Sequence, residues 1–136
     1  MAMEQLQTAL LILITLSAVA DVLSLAAGLN EFRTGRLSFL HAPFRRRVPV
    51  TAEDVRKNGL AVVLNAVGAL LVSLLVISAL FLDRLAVDPI WAAGYLIVGL
   101  AAFLATFLLS YAAFHIRSQV RFGTRGARNS IQSVQN

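Results

Sequence analysis

Three long runs of apolar residues dominate the pattern of hydrophobic and polar positions along this chain of 136 residues. The central run carries no charge, and its only side chains with a polar group are Asn65, Ser73 and Ser78. About 20 such residues, each rising about 1.5 Å, cross the roughly 30 Å hydrocarbon layer of a bilayer. The pattern predicts an all-α, polytopic membrane protein with three transmembrane helices. The predicted spans are residues 9–29, 60–82 and 90–116.

Two local signals bear on where the second helix begins. Thr51 is followed three residues later by Asp54, which is a weak form of the capping box that starts helices. The pair Asn58-Gly59 could instead break a helix before the membrane. We expect a helix that starts after Thr51 and runs through this pair, because nothing else nearby demands a turn.

The second and third spans are joined by a short loop, residues 83–89, which predicts antiparallel neighbouring helices. Pro89 suits the first turn of the third helix, with Asp88 as its cap. Trp91 and Tyr95 follow, and aromatic rings with one polar group are typical of the membrane interface.

The basic residues predict the orientation of the helices. Apart from Arg84, they all lie between the first two runs or after the third run. The first set is Arg33, Arg36, Arg45, Arg46, Arg47, Arg56 and Lys57, and the second is Arg117, Arg121, Arg125 and Arg128. Positive charge collects on the cytoplasmic side, so we expect the N-terminus outside and the C-terminus inside. The first run lacks the basic start of a secretory signal, so we expect it to be a retained helix.

Residues 30–58 mix arginines with large apolar side chains, which is typical of a segment at the membrane surface. Pro43 and Pro49 disfavour one continuous helix there, so short surface-lying pieces are expected. Residues 1–122 should form a single transmembrane domain. The polar segment 123–136 should be a mobile or partner-bound tail.

Asp21 is the only acidic residue within the three predicted spans. A carboxyl in hydrocarbon costs at least about 2.5 kcal/mol, so Asp21 should face protein or water. Asn65, Thr106 and Ser110 lie at a similar predicted depth, and the four residues could form one intramembrane polar layer. A structural contact between helices is the favoured interpretation, while proton or cation handling and contact with a basic group of another subunit stay open.

Arg45, Arg46 and Arg47, together with Arg33 and Arg36, form the densest basic cluster. Such a cluster fixes topology and attracts anionic lipid headgroups, at about 1 kcal/mol per basic residue. Docking of an acidic partner protein is the second interpretation. Nucleic acid is the least favoured partner, because no recognisable nucleic-acid-binding module accompanies the charge.

The sequence carries no pattern typical of an enzyme. Cysteine is absent, and neither histidine has companions at metal-ligand spacing. No phosphate-binding loop or catalytic triad is recognisable either, so we expect neither catalysis nor a cofactor. The pattern favours a small integral membrane protein with a structural or accessory role in a larger membrane assembly, such as a respiratory, transport or viral-envelope complex. The alternative is a homo-oligomeric channel or carrier for protons or cations that uses Asp21. The expected location is the cytoplasmic membrane of a prokaryote, or a viral membrane derived from it.

Overall fold

The computed structural model describes residues 2–38, 47–82 and 88–123. Three long helices make up almost all of this part of the chain. They are α1 (Ala2–Thr34), α2 (Ala52–Leu82) and α3 (Pro89–Ser118), and two short strands, β1 (Val48–Pro49) and β2 (Phe122–Gly123), complete the elements. All three helices are long and apolar enough to cross a membrane. The prediction of an all-α membrane protein is confirmed.

The helix α2 lies between the other two. Both α1 and α3 pack along α2, whereas α1 and α3 share no extended contact within the described residues. Near one end of the bundle Gly28 of α1 lies against Gly59 of α2, and at the other end Gln7 and Leu80 line one small cavity. The two helices are therefore antiparallel over their whole length, and α2 forms the centre of an open, three-helix layer.

The start of α2 confirms the predicted cap. The Thr51 hydroxyl accepts a hydrogen bond from the Asp54 backbone N–H at 3.1 Å, and the Asp54 carboxylate accepts one from the Thr51 backbone N–H at 3.2 Å. These reciprocal bonds satisfy backbone donors that the first turn of a helix leaves without partners. The helix then continues through Asn58 and Gly59 without a break, as expected.

The predicted start of α3 is also confirmed. Pro89 occupies the first turn, and the Asp88 side chain accepts a hydrogen bond from the Ile90 backbone N–H at 3.1 Å.

The first helix extends five residues beyond the predicted span, as far as Thr34. It ends at Gly35, whose φ of 65° is in the left-handed region that favours glycine. The Gly35 N–H donates to the Glu31 carbonyl at 2.9 Å, which is a common way to close a helix C-terminus. Residues 30–34, which the sequence pattern assigns to the surface segment, therefore belong to α1, whereas residues 52–58 belong to α2, as the predicted helix start after Thr51 requires.

The segment before α2 pairs with the segment after α3 through backbone hydrogen bonds. β1 and β2 pair in antiparallel fashion, with Val48 opposite Gly123 and Pro49 opposite Phe122. Gly123 thus lies in a strand, although it was predicted to begin the tail. Because the strand pair joins them, the two segments lie at the same end of the three helices.

Several predictions fall outside the described residues. They concern the surface-lying pieces within residues 39–46, the loop of residues 83–87 and the polar tail from residue 124 onward.

Candidate functional site

Asp21 lies on the face of α1 that packs against α2. Asp21 is half-buried. Along α1 it lies between Gly28, which contacts α2 at one end of the bundle, and Gln7, which lines a cavity with α2 at the other end. Within the described part of the chain, neither a hydrogen bond nor an ion pair reaches the Asp21 carboxyl. The neighbouring α2 surface therefore leaves this carboxyl without a polar partner.

Thr106 makes a direct contact between α3 and α2. Its methyl group lies 3.3 Å from the position that a Cβ on Gly68 would occupy. Its hydroxyl donates to the Ala102 carbonyl at 2.9 Å, and the Gly68 carbonyl lies 3.4 Å from the same oxygen. Small residues let helix backbones approach closely in membranes, and polar side chains such as threonine bond across the contact.

Asn65 and Ser110 line the same cavity between α2 and α3. The cavity has a volume of about 290 Å³. Its lining residues are Ala61, Val62, Asn65, Ser110, Ala113, Phe114 and Arg117. Two of the residues predicted to share a polar layer therefore line one groove, in which Asn65 is exposed and Ser110 is half-buried.

The four residues of the predicted polar layer belong to two different helix–helix contacts. Asn65, Thr106 and Ser110 belong to the contact between α2 and α3, whereas Asp21 belongs to the contact between α1 and α2. These two contacts lie on opposite sides of α2. A common function of the four residues stays a prediction.

The basic cluster is partly described. Arg33, Arg36 and Arg47 are exposed, and exposure is necessary for contact with lipid headgroups or with a partner. Arg45 and Arg46 lie outside the described residues. Headgroup binding by this cluster also stays a prediction.

A buried polar cluster that the hydropathy pattern does not predict joins the end of α1 to the start of α2. Glu31 and Asn58 are both fully buried. The Glu31 carboxylate accepts hydrogen bonds from the Asn58 amide and from the Ser38 backbone N–H, each at 3.1 Å. The sequence contained a signal for this contact, since Glu31 follows Gly28 at helical spacing on the face that carries Asp21. It was overlooked because the predicted first span ended at residue 29.

The Asp54 carboxylate holds the chain after α3 as well as the start of α2. It accepts a hydrogen bond from the Thr51 hydroxyl at 2.7 Å and one from the Arg121 backbone N–H at 3.2 Å. The Arg121 Nε lies 3.8 Å from the same side chain, of which only 4% is exposed. Nearly buried carboxylates need such donors, and here they come from two segments distant in sequence.

At the opposite end of the bundle, Tyr95 anchors α3 to α2. Its hydroxyl donates to the Leu75 carbonyl at 2.7 Å and lies 2.8 Å from the Ser78 hydroxyl. Tyr95 was predicted to lie at the membrane interface, and this contact gives its polar group a partner within the protein.

Comparison with known proteins gives no relative. No family model, curated protein or solved structure matches the chain. Among the described residues, no group of three or more acidic or histidine side chains is arranged to hold a metal ion.

Proposed function

We propose that this protein is a structural or accessory subunit of a larger membrane assembly. The proposed setting is the cytoplasmic membrane of a prokaryote or a viral membrane derived from it, with the N-terminus outside and the C-terminus inside. The observation that carries the proposal is the half-buried Asp21 carboxyl, which has no hydrogen bond or ion pair among the described residues.

An intramembrane carboxyl without a partner costs at least about 2.5 kcal/mol, and such groups usually face protein or water. The chain supplies no partner for Asp21 within the described ranges. A basic or hydrogen-bonding side chain from another subunit would offset this cost. Asp21 is only half-buried against α2, so a side chain from a neighbouring subunit can reach its carboxyl from the exposed part.

The outer face of α3 offers a second surface for a neighbouring subunit. Its large apolar side chains recur at helical spacing and are mostly exposed. Among them are Phe103 and Phe107, which are 61% and 65% exposed. Such a face suits lipid as well as another helix, so it supports the proposal less strongly than Asp21 does.

The test is purification from the native membrane in a mild detergent, followed by mass analysis of what copurifies. The wild type should retain a partner at stoichiometric level, and Asp21→Leu should lose it. Thr15→Val is the matched control, because it removes a hydroxyl that donates only to the Leu11 carbonyl on the same helix. Recovery of the wild-type chain alone would count against an accessory role.

The basic cluster defined above has a proposed supporting role. Arg33, Arg36, Arg45, Arg46 and Arg47 would hold the segment between α1 and α2 against anionic headgroups or an acidic partner. The exposure of the three described arginines is consistent with either occupant. Each basic residue at an anionic surface contributes about 1 kcal/mol.

The same carboxyl supports one alternative, a homo-oligomeric channel or carrier for protons or cations. Three helices with no extended contact between α1 and α3 enclose no path by themselves, so several copies would have to place Asp21 around a shared pore. Ion or proton flux into liposomes should then fall in Asp21→Asn and persist in Thr15→Val. Equal flux from wild type and Asp21→Asn would exclude this alternative.

A further inference from the structure

Asn65 places an amide on an open face of α2, inside the predicted membrane span. The residue is exposed, and it follows Leu60, where the predicted span begins, by about 7 Å along the helix axis. An asparagine side chain is too short to reach the membrane surface from that depth. Within the described part of the chain, neither a hydrogen bond nor an ion pair engages the amide. The hydrocarbon layer holds no water, so an exposed and unpaired amide there is costly.

Asn65 belongs to a row of three polar side chains that crosses one side of the three-helix layer. Glu31 of α1 bonds to Asn58 of α2. Ser24 precedes Glu31 by about two helical turns, and Asn65 follows Asn58 by the same distance in the antiparallel helix. Ser24 is therefore level with Asn65 and on the same side of the layer. Ser110 of α3 lines one cavity with Asn65, and neither serine hydroxyl has a hydrogen bond in the described ranges.

The face of α2 that carries Asn65 continues as an exposed apolar stripe. Asn65, Val72 and Ala79 recur at heptad spacing, and all three are exposed. Val76, one turn after Val72, is exposed as well, so neither α1 nor α3 covers this stripe. Heptad spacing is typical of two parallel helices that pack side by side, and a single asparagine in such a contact specifies the register of the pair.

We propose that two copies of this chain pair through this face, with α2 packed against α2 and Asn65 beside a twofold axis. The axis is parallel to the membrane normal. The Asn65 amide of each copy donates to the amide oxygen of the other, and Ser24 of one copy lies opposite Ser110 of the other.

The hydrogen-bonding groups of this face identify a second copy as the occupant. An amide carries both donors and an acceptor, so it is complementary to an identical amide. Copies of one chain insert in the same orientation, so a twofold axis along the membrane normal keeps each residue at its own depth. The rotation exchanges the positions of α1 and α3 on either side of α2, which brings Ser24 level with Ser110. A lipid chain offers no partner to any of these groups.

This pairing is independent of the accessory role proposed above, which rests on Asp21. It uses the open face of α2, whereas Asp21 belongs to the contact between α1 and α2. Self-association of the purified chain can therefore be measured whether or not another protein binds at Asp21.

Disulfide crosslinking of single cysteines tests the pairing, because the natural sequence contains no cysteine. The full chain is reconstituted at low density in phosphatidylcholine liposomes and oxidised with copper phenanthroline. Val72→Cys lies one heptad from Asn65 on the paired face, so it should form a crosslinked dimer. Leu74→Cys is the matched control, because Leu74 is 63% exposed but lies about 200° around α2, on the opposite side of the layer. It should give only the dimer expected from random collision.

Variants of Asn65 in the Val72→Cys background test the amide itself. Asn65→Leu should weaken association at least about threefold, the factor expected for the loss of one average hydrogen bond between membrane helices. Asn65→Gln keeps an amide and should retain the crosslink.

Two results would overturn the pairing. Absence of a dimer from Val72→Cys, or equal amounts from Val72→Cys and Leu74→Cys, would mean that lipid or another protein covers this face. Unchanged crosslinking in Asn65→Leu would overturn the role of the amide. If Asn65→Leu fails to fold, the two cysteine variants still decide whether the face pairs.

Discussion

Gly59 determines how closely α1 and α2 approach each other. A Cβ on this residue would lie 2.6 Å from the Phe32 backbone nitrogen and 2.7 Å from the Gly28 carbonyl oxygen. Neither of these backbone atoms can move aside without moving α1. Glycine in a helix interior costs about 1 kcal/mol relative to alanine, and the close backbone approach that it permits offsets this cost.

We expect Gly59→Ala to lower the melting temperature in detergent. The added methyl group forces α1 and α2 apart, and overpacking of this kind costs roughly 1 to 3 kcal/mol, more than the gain in helix propensity. Gly99→Ala is the control, since a Cβ there would meet nothing within 4 Å. It should leave the melting temperature unchanged or raise it. A rise in both variants would contradict the close contact.

Glu31 closes the same end of the bundle by a different interaction. We expect Glu31→Ala to destabilise the protein by about 1 to 3 kcal/mol, because the buried Asn58 amide and Ser38 N–H lose their acceptor. Glu53→Ala removes an exposed carboxylate paired with Lys57 and should lower the stability far less, because an ion pair in water contributes little. Thermal unfolding of the two variants compares them directly, and similar losses would show that burial of Glu31 is unimportant.

The contacts between helices explain why the predicted depth of a residue in the membrane did not show which polar residues lie together. Asn65 and Ser110 line one cavity, since they lie on adjacent antiparallel helices at similar predicted depth. Asp21 has a similar predicted depth but lies on the other side of α2. Hydropathy fixes the position of a residue along the membrane normal, whereas the order of helices within the membrane plane depends on contacts such as Gly28 with Gly59.

At the scale of the elements, helix starts were easier to predict than helix ends. Thr51 and Asp88 cap their helices through side-chain bonds to residues two or three positions away, so the signal is local. The end of α1 was placed too early because Glu31 and Arg33 ended the apolar run. The left-handed Gly35 is the actual stop. The two short strands had no local signal, since Asp54 and the distant Arg121 backbone position them.

The Tyr95 hydroxyl links α3 to α2 by hydrogen bonds, and its contribution can be tested by removing that single oxygen atom. We expect Tyr95→Phe to destabilise the protein by about 0.6 kcal/mol, the mean for hydrogen bonds between membrane helices. Tyr111→Phe is the control, because Tyr111 is 66% exposed and makes no hydrogen bond within the described ranges. It should have no effect on the melting temperature. A larger loss for Tyr111→Phe than for Tyr95→Phe would contradict the anchor.

At the scale of the molecule, the pairing of β1 with β2 constrains the topology independently of charge. It places the segment before α2 and the segment after α3 on one side. The basic residues then predict which side of the membrane that is. The strand pairing rests on backbone hydrogen bonds, whereas the orientation rests on the bias of positive charge toward the cytoplasmic side.

Single cysteines test both arguments, since the natural sequence contains none. Glu53 and Gln119 are exposed near the paired strands, and Glu4 is exposed at the other end of the bundle. An impermeant thiol reagent added to intact cells should label Glu4→Cys and leave Glu53→Cys and Gln119→Cys unlabelled. Permeabilised cells, as the control, should show all three labelled. The reverse pattern in intact cells would invert the orientation but keep the fold. Different labelling of Glu53→Cys and Gln119→Cys would contradict the strand pairing itself, because paired strands cannot lie on opposite sides of a bilayer.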